Sequence, residues 1–144
     1  MYSSEYHRDD YTISTDRARL DLAVIHDYLS QRSYWAQGRP LDLVRRSIDH
    51  SLCFGLYAGD QQAGFARVVT DYTTFAWLCD VFILEAHRGR GLGKWLIETI
   101  VAHPDLHNLR NFLLATRDAH GLYHLYGGFQ PLPKPDKWMI RRRE

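Results

Sequence analysis

The chain has 144 residues, a formal net charge of +1 and 45% hydrophobic residues. This length and composition predict one globular domain with a single substantial core, over residues 1–144 with the core at about 11–141. A net charge so close to zero excludes strong electrostatic steering of nucleic acid, and the basic run at residues 141–143 is typical of a solvated tail.

The sequence indicates neither a membrane protein nor a secreted one. No apolar run approaches the length of about 18 residues that a membrane span requires, and residues 1–10 are too polar for a signal peptide. Cys53 and Cys79 both lie in apolar runs. They predict two small buried side chains rather than a disulfide, which suits the reducing cytoplasm where we expect the protein.

The first half of the chain predicts a short strand and two helices. We expect an edge strand at Tyr11–Ser14, and Ser14 or Thr15 can cap the helix that follows. One face of this helix carries apolar side chains at helical spacing, namely Leu20, Ala23, Val24 and Tyr28. Gly38-Arg39-Pro40 interrupts the chain, and the second helix then carries an inner stripe of Leu41, Val44 and Ile48.

The second half predicts strands and helices in alternation. Residues 52–58 and 63–69, joined by the turn Gly59-Asp60, have the pattern of a hairpin. Residues 75–84 are almost continuously apolar, which is typical of a central strand covered on both faces. There follow a helix that ends at His103-Pro104, a buried parallel strand at 112–115, a short helix at 119–126 and a last strand at 137–140. The order is therefore β-α-α-β-β-β-α-β-α-β, an α/β fold class.

The most informative segment is the loop at residues 88–94, Arg-Gly-Arg-Gly-Leu-Gly-Lys, which follows the central strand and opens a helix. The first N–H groups of a helix have no intrahelical partners, and the helix dipole places about half a positive charge there. Glycine lets the backbone approach a phosphate closely, and Arg88, Arg90 and Lys94 add positive charge. The segment therefore predicts a binding site for a phosphorylated cofactor.

Two common nucleotide motifs do not fit this loop. An ATP-binding P-loop needs Gly, four residues and then Gly-Lys-Ser/Thr, but Trp95 follows Lys94 and Arg88 stands where the first glycine belongs. A dinucleotide fingerprint needs Gly-x-Gly-x-x-Gly and an acidic residue about 20 positions further on. The glycines here are 89, 91 and 93, and residues 111–115 are Asn-Phe-Leu-Leu-Ala.

The spacing that does fit is Arg88-x-x-Gly91-x-Gly93, which resembles the acyl-CoA pyrophosphate loop of the general N-acetyltransferase (GNAT) superfamily. The segment before it, Val-Phe-Ile-Leu-Glu-Ala-His at residues 81–87, resembles the family's fourth strand and its connection. Downstream, Ala119-x-x-Leu122-Tyr123 followed by Gly128-Phe129 resembles the family's second signature. The likeness covers residues 75–132 and implies the acyl-CoA N-acyltransferase fold, a mixed sheet with helices on both faces.

The resemblance implies acetyl-CoA as the acyl donor. It assigns the pyrophosphate to the loop residues Arg88, Gly89, Arg90, Gly91, Leu92, Gly93 and Lys94. It assigns the pantetheine arm to free backbone groups of Phe82, Ile83 and Leu84, where the family's fourth strand splays from the fifth. One of these N–H groups would face the thioester oxygen, and Tyr126 would pack near the cofactor.

Tyr123 is the candidate general acid, because the resemblance places a tyrosine hydroxyl of this helix at the cofactor sulfur. The family has three residues between this tyrosine and Gly-Phe, whereas the chain has four, so counting back from Gly128-Phe129 reaches His124 instead. An extra glycine at a helix C-terminus is readily accommodated, which favours Tyr123. A tyrosine that only packs in the core is the alternative.

Asp80 is the only charged residue within 75–84, and a buried carboxylate needs a partner, a wet pocket or a chemical role. It resembles the aspartate of a Leu-Glu-Asp segment in family members that acetylate di- and polyamines, although Cys79 replaces the glutamate. Two hypotheses follow. Asp80 binds a cationic amine and helps to deprotonate it, or it is a structural carboxylate held by backbone N–H groups or by Arg67.

Aromatic residues are the candidates for the acceptor site. Tyr34 and Trp35 lie where the family's substrate loop sits, and Tyr72 and Trp77 lie near the third and fourth strands of the predicted order. Aromatic faces beside a carboxylate suit a cationic amine. His120 and His124 are four residues apart, but no third ligand is evident and we expect no metal.

The sequence therefore predicts an acetyl-CoA-dependent N-acetyltransferase that moves an acetyl group to a primary amine by direct transfer in a ternary complex. We expect a small cationic amine as the acceptor, and a monomer or a homodimer without nucleic-acid or membrane partners. The alternatives are acetylation of a protein lysine or N-terminus, and a non-catalytic acyl-CoA-binding module.

Overall fold

The computed structural model describes residues 3–143. Its centre is a six-stranded sheet. The strands are β1 (Glu5–Arg8), β2 (Tyr11–Ser14), β3 (Leu52–Ala58), β4 (Gln61–Thr70), β5 (Phe75–Ile83) and β6 (Asn111–Leu114). They lie side by side in chain order, and each neighbouring pair is antiparallel except β5 and β6, which are parallel. The predicted mixed sheet is confirmed.

Helices cover both faces of this sheet. They are α1 (Leu22–Asp27), α2 (Leu41–Asp49), α3 (Leu92–Val101) and α4 (His120–Gly127). Ile25 of α1 and Val44 of α2 pack with Phe65 in one apolar cluster, while Leu96 of α3 packs with Phe54 in another. The α/β fold class is thus confirmed. None of the helices in residues 3–143 is long and apolar enough to span a membrane.

The N-terminal end differs from the prediction. Glu5–Arg8 forms an additional strand, β1, which pairs with β2, so Tyr11–Ser14 does not lie at the edge. The side chains of β1 are mostly polar and exposed, and an exposed edge strand leaves no apolar alternation in the sequence.

The first helix also starts later than predicted. Asp21, rather than Ser14 or Thr15, caps it, because its Oδ1 accepts from the Val24 N–H at 3.2 Å. The buried side chains of α1 and of the turn that directly follows it include Ile25, Tyr28 and Leu29, and Ala23 is exposed. In α2, Val44 and Ile48 are buried as predicted, whereas Leu41 is exposed.

The predicted last strand at 137–140 is wrong. Pro135–Lys137 forms a single 3₁₀ turn, and residues 138–143 are exposed and form no strand. Pro131, Pro133 and Pro135 each remove a backbone donor just before this segment, which weakens pairing with a neighbouring strand. The observed order is β-β-α-α-β-β-β-α-β-α.

The feature that positions the site is the divergence of β5 from β6. The two strands pair only from Phe75↔Asn111 to Leu78↔Leu114. Beyond that point β5 continues to Ile83, where it still pairs with Gly64 of β4. After Leu78, β5 is therefore hydrogen-bonded to β4 alone, and a cleft opens on its other side.

Candidate active site

A β-bulge marks the point where β5 leaves β6. The pairing of β4 with β5 passes from Phe65↔Phe82 to Arg67↔Cys79, so Asp80 and Val81 together oppose the single residue Ala66. Asp80 lies in the left-handed region, with φ of 54°. A β-bulge changes the direction of a side chain, and the side chain affected here is that of Asp80.

A cavity of about 500 Å³ opens at this point. It is bounded by β5, by the end of β6, by the segment between α1 and α2, and by α4. Five of the six residues that the sequence nominated for the acceptor and the acid line it, namely Tyr34, Trp35, Trp77, Asp80 and Tyr123, and Tyr72 does not. The structure brings these five together, although they are spread over 90 residues of chain.

The carboxylate of Asp80 is fully engaged inside this cavity wall. Its Oδ2 accepts from Arg39 Nη1 and from Arg67 Nε, each at 2.9 Å, and its Oδ1 accepts from Trp35 Nε1 at 2.9 Å. The Asp80 side chain is 2% exposed, against 13% for Arg67 and 26% for Arg39. The structural hypothesis, with Arg67 as the partner, is therefore the one that the structure shows.

This arrangement disfavours the other hypothesis. Both oxygens of Asp80 already accept hydrogen bonds, and a second cation beside them would meet two guanidinium charges. The expectation that Asp80 binds and deprotonates a cationic amine finds no support in these contacts. The contacts observed for its carboxylate are with Trp35, Arg39 and Arg67.

Tyr123, and not His124, faces the cavity. Tyr123 is partly buried on α4 and lines the cavity, whereas His124 is exposed and its Nδ1 lies 2.9 Å from the Phe129 carbonyl oxygen. Burial raises the pKa of Tyr123 to about 12, and the nearby Tyr34 hydroxyl adds to this effect. The phenol therefore stays protonated and able to donate throughout the physiological pH range.

The extra residue of the second signature is a glycine at the end of α4. Gly128 adopts a left-handed conformation with φ of 72° and ends the helix. A Cβ on Gly127 would lie 2.8 Å from the Phe129 ring and 3.0 Å from Cγ2 of Ile97. A side chain at position 127 would therefore collide with Phe129 and Ile97, so the end of α4 requires a glycine there.

The loop before α3 has the geometry of an anion site. Gly89 and Gly91 have φ of 79° and 74°, which side chains rarely tolerate. Helix α3 starts after Gly91, and no side chain caps it. Its first intrahelical bond is donated by Trp95 to the Gly91 carbonyl oxygen, so the preceding N–H groups of the helix are left for an anion.

The basic side chains of this loop are held by aromatic residues and by β5. Arg88 donates from Nε to the Ile83 carbonyl oxygen at 3.0 Å and from Nη2 to Tyr28 Oη at 2.8 Å. Arg90 donates to Tyr11 Oη at 2.8 Å. Lys94 Nζ lies 5.2 Å from the centre of the Tyr126 ring. These contacts order the cations around the start of α3.

One of the backbone groups that were predicted to be free at the end of β5 is already bonded. The Leu84 N–H donates to the Ala63 carbonyl oxygen at 2.8 Å, so the prediction that it offers a free donor is wrong. Since successive residues of a strand alternate in the direction of their backbone groups, Phe82 also faces β4, while Val81 and Ile83 face the cleft. The sequence nominated Ile83 and missed Val81.

Comparison with known proteins agrees with this geometry. The model of the acetyltransferase (GNAT) family matches residues 13–129. The chain belongs to this family. A Xanthomonas campestris protein assigned to the same family has a crystal structure with 51% identity and a TM-score of 0.90, over 97% of this chain and 96% of its own.

Two further relatives extend the comparison. A Gibberella zeae protein named as an acetyltransferase is 34% identical over 140 residues, 83% of this chain and 77% of that protein. A Clostridium acetobutylicum acetyltransferase, solved with acetyl-CoA, has a TM-score of 0.62 at 14% identity, over 92% of this chain and 94% of its own. At that identity the likeness shows the fold alone.

The cavity of this GNAT protein contains charged residues that the sequence did not nominate. Arg39 and Arg117 join Arg67 in its lining. The Arg117 guanidinium carbon lies 3.8 Å from the centre of the Tyr34 ring, and the Arg117 N–H donates to Tyr34 Oη at 3.1 Å. Arg39 and Arg117 lie in irregular segments without periodicity, so no pattern in the sequence links them to Asp80.

Other nominated residues lie elsewhere in the GNAT protein. Tyr72 lines a second cavity, of about 300 Å³, next to His103 and away from Tyr123. Cys53 is buried, as predicted, Cys79 is half-buried, and both are free thiols. Within residues 3–143 the structure contains no group of three or more His, Cys, Asp and Glu residues that could hold a metal ion.

Proposed function

We propose that the protein is an acetyl-CoA-dependent N-acetyltransferase that transfers an acetyl group directly to a primary amine. The observation that carries the proposal is that three features meet in one place. These are the divergence of β5 from β6 after Leu78, the uncapped start of α3 at Gly91, and the hydroxyl-bearing side chain of Tyr123 in the cavity.

Residues of this chain fit the donor from end to end. The N–H groups at the start of α3 and the loop cations Arg88, Arg90 and Lys94 would hold its pyrophosphate. The Ile83 carbonyl oxygen already accepts from Arg88. The cleft-facing backbone groups of Val81 and the N–H of Ile83 would hold the amide groups of its pantetheine arm, as an added strand is held at a sheet edge. One of these N–H groups would donate to the thioester oxygen as negative charge develops there.

The transfer needs one bond formed and one broken. The neutral amine nitrogen attacks the acetyl carbon, the C–S bond breaks, and the sulfur takes the proton of Tyr123. The proton that the amine loses passes to water in the cavity, since Asp80 is paired with two arginines. Solvent then reprotonates Tyr123 after the products leave.

The environment of Tyr123 suits the role of acid. Burial raises its pKa to about 12, so the hydroxyl carries its proton when the donor is bound. The same burial disfavours a free thiolate, which makes protonation of the leaving sulfur favourable at the moment the C–S bond breaks.

The cavity supports a small acceptor over a protein lysine or N-terminus. Its volume of about 500 Å³ lies within the range of small-molecule sites. A non-catalytic acyl-CoA-binding module would need the same loop, but it would not need a protonated phenol beside the cleft.

The direct test is release of the CoA thiol from acetyl-CoA in the presence of small amines, with the acetylated product identified by mass spectrometry. The proposal predicts stoichiometric thiol and acetylamine. Tight binding of acetyl-CoA without transfer to any small amine or peptide would contradict it and favour the binding module. Transfer to peptides alone would keep the enzyme and discard the small acceptor.

A further inference from the structure

The acceptor cavity has an excess of positive charge. Its charged lining consists of three arginines and two aspartates, namely Arg39, Arg67, Arg117, Asp80 and Asp118. Arg39 and Arg67 share one oxygen of Asp80, so the buried carboxylate offsets only one of the two guanidinium charges. Oδ2 of Asp118 lies 3.7 Å from Nη2 of Arg117, so this exposed carboxylate is paired with the third arginine.

Arg39 and Arg67 still have donors to offer. Arg39 uses Nη1 and Arg67 uses Nε and Nη1 in their protein contacts, with Asp80 and with Ser51 Oγ. Each guanidinium carries five N–H donors, so donors remain on both. The planar guanidinium fork matches the oxygens of a carboxylate or a phosphate.

These donors are rigidly placed next to the reaction centre. Trp35, Arg39 and Arg67 all bond to Asp80, which precedes the cleft-facing Val81 in β5. Arg117 is likewise held, because its guanidinium stacks on Tyr34 and its N–H donates to Tyr34 Oη. An anion bound by them would share the cavity with Tyr123 and the acetyl carbon.

We infer that the acceptor is a small amine that also carries an anionic group, a carboxylate or a phosphate, bound by Arg39 and Arg67. This inference rests on the proposed function and names the substrate class of the same site. It replaces the small cationic amine expected from the sequence, since a polyamine would bring two or more positive charges to a wall that already has one in excess. An amine with an anion brings the missing negative charge.

Matched pairs of amines test the inference. Each pair differs by one anionic group: phenylalanine and phenethylamine, ornithine and putrescine, phosphoethanolamine and ethanolamine. We expect a kcat/KM that is on the order of tenfold or more higher for the anionic member in at least one pair. The carboxylate and phosphate pairs distinguish the two kinds of anion. Equal or better use of the member without the anionic group in every pair would overturn the inference and leave the N-acetyltransferase intact.

Variants of Arg39 test whether this residue causes the preference for the anionic amine. Arg39→Gln should reduce the preference for the anionic member on the order of 10- to 100-fold with the KM for acetyl-CoA unchanged. Arg39→Lys should retain most of this preference. Because the lysine keeps a positive charge beside Asp80, this variant also controls for loss of activity through misfolding. Arg45→Gln, on the exposed face of α2, is the matched control and should change nothing. An unchanged preference in folded Arg39→Gln would overturn the inference.

A second readout separates this inference from the proposed function. If no amine of any kind is acetylated, the proposed function is wrong, and the anion site is then tested by titrating the same compounds against tryptophan fluorescence. Trp35 reports on the site because its indole N–H bonds to Asp80. Saturable changes with the anionic members only, lost in Arg39→Gln, would support the site, and their absence would overturn it.

Discussion

Nε of Arg67 on β4 donates to Oδ2 of Asp80 on β5 at 2.9 Å, at the bulge where β5 leaves β6. The pair links the two strands at the point where one of them loses its other neighbour. Because Asp80 also holds Arg39 and Trp35, a single carboxylate fixes the wall of the acceptor cavity. In the proposed reaction Asp80 therefore has a structural role.

Asp80→Asn is the first test of this structural role. The substitution leaves two largely buried guanidinium groups facing a neutral amide, and removing one partner of a buried pair costs about 3 kcal/mol or more. We expect the free energy of unfolding, measured in urea, to fall by that amount. Asp118→Asn, which removes an exposed carboxylate, is the control and should leave the unfolding midpoint unchanged. An Asp80→Asn protein as stable as the parent would contradict the role.

The hydroxyl of Tyr57 should be dispensable. It is buried and has no hydrogen-bond partner among residues 3–143, and burial raises the pKa of Tyr57 to about 12. Tyr57→Phe removes an unsatisfied group, so we expect a stability gain of about 1 kcal/mol. Tyr28→Phe removes a hydroxyl that accepts from Arg88 at 2.8 Å and should cost about 1 kcal/mol. Thermal or urea unfolding of both variants checks the difference in sign.

Much of the fold was predictable because its signals are local. The hairpin β3–β4 and the strand β5 are apolar runs, and their positions were predicted within two residues. Helix α3 was predicted after the loop at 88–94, but it begins at Leu92, inside that loop. Strand β1 was missed because an exposed polar edge strand has no apolar pattern.

The site was predictable only where a motif names its residues. Tyr123 follows from the second signature, and the aromatic residues follow from their place in the family's order. Arg67 was also named as a partner of Asp80. The other two partners, Trp35 and Arg39, were not, because they are more than 40 residues away in an irregular segment. The bulge that turns Asp80 toward them depends on the register of β4 and β5, which is a tertiary property.

The two thiols should be slow to react. Burial raises the pKa of Cys79 to about 11 and that of Cys53 to about 12. At pH 8 the thiolate of Cys79 is then ~100-fold scarcer than in an unfolded chain, and alkylation by iodoacetamide should slow accordingly. Because folding raises the pKa of both thiols, the buried neutral thiols contribute to the stability of the folded protein, and this contribution is fully present below about pH 9. It is lost as the pH rises through 11 to 12. Rapid alkylation of the folded protein at pH 8 would contradict these values.

Gly91 should be needed for donor binding. Its φ of 74° is unfavourable for a residue with a Cβ, although space is free around it, so Gly91→Ala costs about 1 kcal/mol through the backbone alone. We expect the distorted loop to bind acetyl-CoA on the order of tenfold more weakly in isothermal titration calorimetry. Gly121→Ala, which also has free space but no positive φ, is the matched control and should bind normally.

Tyr123 is the residue that we propose protonates the departing sulfur. The most direct measurement is formation of acetylated amine from isotopically labelled acetyl-CoA by the parent protein and by Tyr123→Phe, with acetyl-CoA affinity measured in parallel. Tyr6→Phe, remote on β1, controls for loss of a hydroxyl. We predict that kcat falls on the order of 10²-fold or more in Tyr123→Phe with affinity unchanged. Labelled product formed at the parental rate would contradict the account.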